Sequence, residues 1–286
     1  RIMNTPSPER LIRRINDLPI LPDIFYRLSE ILDNPKVSTT EVTEEIARDP
    51  ATASKVLRLV NSSFYGLPSK VSSLTRATVL LGFNTLKSLI LTTSVADMFS
   101  EGVGSDIELH QLWKHSFATG ILSRNIARKR AIRDNEEFFI AGLLHDIGKI
   151  ILAKYAPSMY TRVLEHVHKN NVLLYTAENQ ILGFSHTEIG SLIAQKWHLP
   201  SALIACIEYH HTPEECDTCR EFAATVQLAD ILCRSAFIGS GGDNRIPEIS
   251  EENFALLGIG YDDIADVMFI AQRSVEQGNL LEKTEE

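Results

Sequence analysis

The residues with the plainest chemical meaning are His145 and Asp146. They are adjacent in the run Phe138-Phe139-Ile140-Ala141-Gly142-Leu143-Leu144-His145-Asp146-Ile147-Gly148-Lys149-Ile150. The run is apolar enough to bury a helix on every side, and an unpaired carboxylate there costs on the order of several kcal/mol. Asp146 therefore needs a positive partner: a basic side chain, a set of helix N–H groups or a metal ion. Asp230 poses the same problem in Val226-Gln227-Leu228-Ala229-Asp230-Ile231-Leu232. Of the nine histidines, His110, His166 and His168 lie among polar neighbours and read as solvated. His198, before Leu199-Pro200, reads as a helix-end residue suited to the dipole there. His115, His145, His186, His210 and His211 differ, because each lies on an apolar helical segment or at the end of one. Singly, each is explained as a core histidine satisfied by hydrogen bonds. As a set, five imidazoles and two buried carboxylates are satisfied together by one dinuclear metal centre.

Imidazole and carboxylate ligands without thiolates suit a divalent ion. Iron is the first expectation, with manganese, nickel or zinc as alternatives. The expected ligands are His115, His145, Asp146, His186, His210, His211 and Asp230. A carboxylate has two oxygens, so Asp146 can bridge two ions, and two ions at bridging distance can activate water and clamp a phosphoryl oxygen. Lys149 follows Asp146 by three residues and projects from the same helix face, a suitable place to steady a phosphate. In a hydrolytic reading Asp146 and Lys149 are thus the catalytic residues. The bland alternative for Lys149 is a solvated lysine after a glycine.

Helical punctuation runs the length of the chain, and strand signals are nearly absent. Ser38-Thr39-Thr40-Glu41 and Ser185-His186-Thr187-Glu188 are capping boxes, and Asp49-Pro50 supplies an N-cap followed by a first-turn proline. Pro157 opens a helix to about Asn170, and Pro200 opens the one ending in Tyr209-His210-His211. Residues 107–130 read as a long amphipathic helix carrying His115. Residues 135–152 read as one buried helix carrying His145 and Asp146, and 221–236 as the helix carrying Asp230. The two glycines within 101–105 mark a linker. The expected architecture is an all-α helical bundle: an N-terminal helical part at 8–100, a metal-binding core at 106–238, and C-terminal helices at 245–280, followed by a charged tail.

Composition narrows the partners. A hydrophobic fraction of 44% and a charged fraction of 23% are those of a soluble globular chain, and the net charge of −9 argues against DNA, which needs clustered Lys and Arg. No stretch is apolar for long enough to span a bilayer and the N-terminus has no apolar signal region, so a cytoplasmic setting with no membrane partner is expected. The chain does not begin with Met and reads as trimmed or tagged. Four cysteines do not make a disulfide framework at this length. Cys216-Asp217-Thr218-Cys219 reads as a pair of exposed thiols in a polar loop, short of the ligands a zinc site needs. The segment 239–242 lacks the Lys-Ser/Thr ending of a phosphate loop and reads as a flexible connector.

In order along the chain, His115, His145-Asp146 and Asp230 resemble the H…HD…D signature of the HD superfamily of metal-dependent phosphohydrolases. Asp49-Pro50, Asn61-Ser62 with Gly66, and Leu81-Gly82 resemble the first half of the HDOD domain. So do His186-Thr187-Glu188-Ile189-Gly190, Trp197-His198-Leu199-Pro200 and Tyr209-His210-His211 for the second half. The resemblance covers roughly residues 15–236. It implies an all-helical fold with an HD-like core and a role in bacterial signal transduction, through a signalling protein partner or a nucleotide or phosphate ligand. Placed on the pattern of the related HD-GYP cyclic di-GMP phosphodiesterases, the seven ligand candidates fall on ligand positions and Lys149 on the motif lysine. Gln111 stands where some relatives with a third metal carry Glu, which implies at most two ions. After His210-His211 the chain reads Thr-Pro-Glu-Glu-Cys-Asp-Thr-Cys, so the Gly-Tyr-Pro segment is absent. Two functions follow from the resemblance: a regulatory HDOD module with a metal site, or an active phosphohydrolase on a nucleotide or phosphodiester.

Overall fold

The structure, a computed structural model, describes residues 7–15, 17–62, 65, 67, 69–100, 107–133 and 135–277, without the side chains of residues 100 and 274–277. The expected linker at 101–105 and the expected charged tail beyond 277 lie outside the described residues, as does Gly66 of the resemblance. Sixteen α-helices and no strand occur among the described residues. The first six are α1 (Pro8–Arg14), α2 (Asp23–Leu32), α3 (Thr39–Ala47), α4 (Pro50–Val60), α5 (Leu74–Leu81) and α6 (Phe83–Ser100). Next come α7 (Leu109–Lys129), α8 (Glu136–Leu144), α9 (Ile147–Tyr155), α10 (Pro157–Asn170) and α11 (Leu174–Leu182). The last five are α12 (His186–Lys196), α13 (Ser201–Tyr209), α14 (Arg220–Ser235), α15 (Glu251–Leu257) and α16 (Tyr261–Gln277). The all-helical architecture is the one expected from the sequence. No single described helix is long and apolar enough to cross a membrane.

The chain divides into two compact units. Ile20–Met98 forms the body of one, built on α2–α6. The other comprises Phe99–Ala271 with the described residues up to Pro19, and it holds α1 and α7–α15. In this second unit α7 packs on α8 and α14, α9 on α12, and α12 on α13. Two glycines permit the close crossings. A Cβ on Gly142 of α8 would lie 2.7 Å from the Thr119 carbonyl of α7, and one on Gly148 of α9 would lie 1.9 Å from the His186 carbonyl of α12. No side chain fits at the second position.

Four features differ from expectation. The buried helix at 135–152 is two helices, α8 and α9, which part at His145-Asp146. The His145 Nδ1–H donates to Gly142 O at 2.7 Å, capping a carbonyl at the end of α8 with a ring, while Asp146 takes φ −99° and ψ 11°. Helix α11 fills a stretch with no predicted element. Cys216 and Cys219 are buried rather than exposed, and they are joined in a disulfide. The segment 239–243 is no free connector: Ser240 N donates to Gln111 O at 3.1 Å, and Gly241 O accepts from a buried lysine described below.

Candidate metal centre

Helix ends place most of the candidate ligands. His145 is the C-cap of α8. Asp146 is the N-cap of α9 but makes no capping bond, which leaves its carboxylate to point elsewhere. His186 is the first residue of α12 because Ser185 closes the predicted capping box with Glu188. His210 is the C-cap of α13, with His211 next to it. His115 and Asp230 come instead from within α7 and α14. All seven candidates and Lys149 converge in the second unit.

Asp146 lies between two groups. Its Oδ2 is 3.2 Å from His145 Nε2 and 3.6 Å from His115 Nε2, whereas its Oδ1 is 3.2 Å from His186 Nε2 and 3.9 Å from His210 Nε2. His211 Nε2 stands 3.3 Å from His186 Nε2. The donor atoms of His115, His145 and Asp146 lie within 4.8 Å of one another, and so do those of His186, His210 and His211. Asp230 belongs to neither triad. Its Oδ1 is 2.9 Å from His115 Nε2 and accepts from Arg234 Nε at 2.8 Å.

The donor set fits divalent ions on several grounds. His145 Nδ1 meets the carbonyl of Gly142, and His210 Nδ1 meets that of Ile207 at 2.9 Å. A carbonyl only accepts, so each Nδ1 carries the proton and each Nε2 presents a lone pair inward. Those two Nε2 atoms, Asp146 Oδ1 and His115 Nε2 are buried and have no well-directed hydrogen bond. Such atoms are costly unless a ligand satisfies them.

Electrostatics agrees. Burial, reinforced by the neighbouring histidines, holds His210 and His211 well below the usual imidazole range, in the neutral form that metals take. Burial also lowers His115 against the pull of Asp230. Burial opposes the charge on Asp146, but His145 and Lys149 beside it outweigh that and hold the carboxyl well below its ordinary range. For Asp230, Arg234 and His115 outweigh burial in the same way.

The sequence reading missed Glu178 on α11. Its Oε2 accepts from His186 Nδ1 at 2.6 Å and from His186 N at 2.9 Å, and Tyr160 Oη donates to its Oε1 at 3.1 Å. Burial lowers His186, but the Glu178 charge more than offsets this and raises its pKa. The clue was available: Glu178 falls four residues after Leu174 and four before Leu182, a carboxylate on the buried face of a short helix. Arg234, one turn after Asp230, was missed as well.

Comparison with known proteins gives the family. The sequence pattern of the HDOD domain matches residues 18–213. A solved HDOD domain protein of unknown function from Geobacter sulfurreducens superposes with a TM-score of 0.84 at 24% identity, covering 96% of this chain and 97% of that one. A Shewanella amazonensis SB2B protein described as a candidate phosphohydrolase gives a TM-score of 0.73 at 22% identity, covering 98% and 99%. An uncharacterized Treponema pallidum (strain Nichols) protein is 26% identical over 226 residues, which is 77% of this chain and 43% of the relative. The chain thus spans less than half the length of that relative. The match at 18–213 takes in every ligand candidate except Asp230, and the chain belongs to the HDOD domain family.

Proposed function

We propose that the chain is a regulatory HDOD module of bacterial signal transduction that holds a dinuclear divalent metal centre and reads a phosphate-bearing ligand or a signalling protein through it. The observation carrying this reading is the split of Asp146, with one carboxylate oxygen facing His115 and His145 and the other facing His186 and His210. His115, His145 and Asp146 would hold one ion, with Asp230 beside them. His186, His210 and His211 would hold the other, with Asp146 between the two. Such ions, when bound, polarise a phosphoryl oxygen and ready a water for attack. The chain's own residues orient the ligands: Glu178 fixes the His186 ring, and carbonyls fix the rings of His145 and His210.

A second reading, hydrolysis of a nucleotide or phosphodiester, is favoured by the intact ligand set and by Lys149, which donates to Asp146 Oδ2 at 2.7 Å. In that reading Lys149 would steady the phosphate. Its ammonium is fully buried and also donates to Gly241 O at 2.8 Å, which favours the regulatory reading.

Elemental analysis of the full chain, purified without chelator or nickel chromatography, tests the centre. About two divalent ions per chain, lost in Asp146→Ala with the helical spectrum intact, are expected. One ion or none overturns the dinuclear site. Turnover of nucleotides or a phosphodiester that disappears in Asp146→Ala would decide for the enzyme.

A further inference from the structure

Both cations of the site are buried, and each is shared between a carboxylate of the centre and the loop 239–243. Lys149 Nζ bridges Asp146 and the carbonyl of Gly241. Arg234 Nε donates to Asp230, while its Nη1 donates to both carboxylate oxygens of Asp243 at 3.1 Å. The two cations converge on one residue: a Cβ on Gly241 would lie 2.7 Å from Arg234 Nη2 and 3.5 Å from Lys149 Nζ. Under this loop lies a cavity of about 150 Å³, bordered by Lys149, Tyr175, His211, Gln227, Arg234 and Asp243. Asp243 also borders a cavity of about 490 Å³ that reaches Gln111 and His168. Asp243 therefore borders both cavities, and the smaller one reaches His211 of the cluster.

We propose that Lys149 and Arg234 form a binding site for a terminal phosphoryl group, and that the loop 239–243 caps it with the Asp243 carboxylate as a built-in competitor. Beyond the carboxylates of the centre, four oxygens satisfy the two cations: Gly241 O, the pair on Asp243 and, at 3.3 Å from Arg234 Nη1, Arg245 O. A terminal phosphoryl group presents three anionic oxygens, and a buried guanidinium and ammonium that hold carboxylate and carbonyl oxygens can hold these as well. A phosphoryl group that takes Arg234 Nη1 must displace Asp243 from it, so occupancy is linked to loop position. Arg234 and the loop lie outside the matched 18–213 region. The inference rests on the proposed function in one respect, that the ligand of the centre carries a phosphoryl group.

The test is calorimetric titration of the full chain, as purified and after chelation, with inorganic phosphate. Leu174 N and Arg245 N donate to different oxygens of Asp243, so Asp243→Asn keeps an acceptor for one of them while it removes the competing charge. It is expected to bind phosphate about tenfold more tightly than the parent, the size of one lost charged hydrogen bond. Adding Arg234→Gln to Asp243→Asn should abolish the gain. Phosphate affinity in Asp243→Asn equal to or below that of the parent, with an unchanged melting profile, overturns the proposal. If Asp243→Asn does not fold, Gly241→Ala keeps every charge while crowding the loop off Arg234; it should also tighten binding, and unchanged affinity there is equally fatal. Metal content, measured on the same samples, separates the two readings. Two ions with no gain in phosphate affinity sinks the cap alone, whereas a gain without metal sinks only the dinuclear centre.

Discussion

Glu178 is held on both oxygens, by Tyr160 on one and by His186 on the other, at full burial. A carboxylate behind a ligating histidine fixes the ring and strengthens its donor nitrogen, and its loss typically lowers metal affinity about 10–100-fold. Glu178→Gln keeps an acceptor and the shape but not the charge. Competition with a chromophoric chelator should show a fall of about that size, with the fold retained; unchanged affinity would make Glu178 a packing residue only. The histidines also set a pH dependence. His115, His210 and His211 have folded pKa values below their ordinary 6.5. Between those values and about 6.5 the unfolded chain binds more protons, so their stabilisation is present above about pH 6.5 and is lost as pH falls. His186 is raised, so its contribution runs the other way and is lost as pH rises through its folded pKa. With three groups against one, denaturant melts of the chelated chain should give lower stability at about pH 5.5 than at about pH 8. A flat or inverted profile would mean that the cluster is not neutral in the folded state.

The elements of the site were legible where a local chemical rule fixes them. The Ser185–Glu188 capping box sets the start of α12 and hence the position of His186, and Pro157 sets the start of α10. The break between α8 and α9 was not legible, because no proline marks it. It follows from a side chain capping a carbonyl and from the approach of α12, both of which are tertiary facts. Helix α11 was missed because its nine residues mix Tyr, Thr, Glu, Asn and Gln with only Leu174, Ala177, Ile181 and Leu182 as apolar guides. With it went Glu178. The cap over Lys149 was invisible for a related reason: a glycine-rich run shows where a chain can bend, not what it bends onto. At this scale Gly148 is the most exposed to test. A methyl there meets the His186 carbonyl, which is backbone and cannot swing aside. Gly148→Ala should cost about 3 kcal/mol or more by overpacking and should loosen metal through His186. Near-wild-type stability and metal content would show that α9 and α12 do not cross as closely as described.

At the scale of the molecule, the seven candidate ligands come from five places in the sequence: α7, the α8–α9 break, the start of α12, the end of α13 and the middle of α14. Ions held there would cross-link the second unit more effectively than any single helix contact. The candidate ligands also carry a burden without metal, since neutral imidazoles face one another and the buried Asp146 and Asp230 have Lys149 and Arg234 as their paired basic side chains. Ligand binding to the folded state alone stabilises it by about 2.7 kcal/mol at a free concentration one hundred times the dissociation constant. Chelation should therefore lower the thermal midpoint by several degrees, and return of about two equivalents of metal should restore it. Amide exchange adds a spatial check. Protection gained on metal return should concentrate in α7, α8, α9, α12, α13 and α14, the helices that carry or adjoin the candidate ligands, with the slowest amides around Asp146. A midpoint that does not move on chelation, or protection gained evenly across α2–α6 as well, would mean that the clustered histidines are a structural core and not a metal centre.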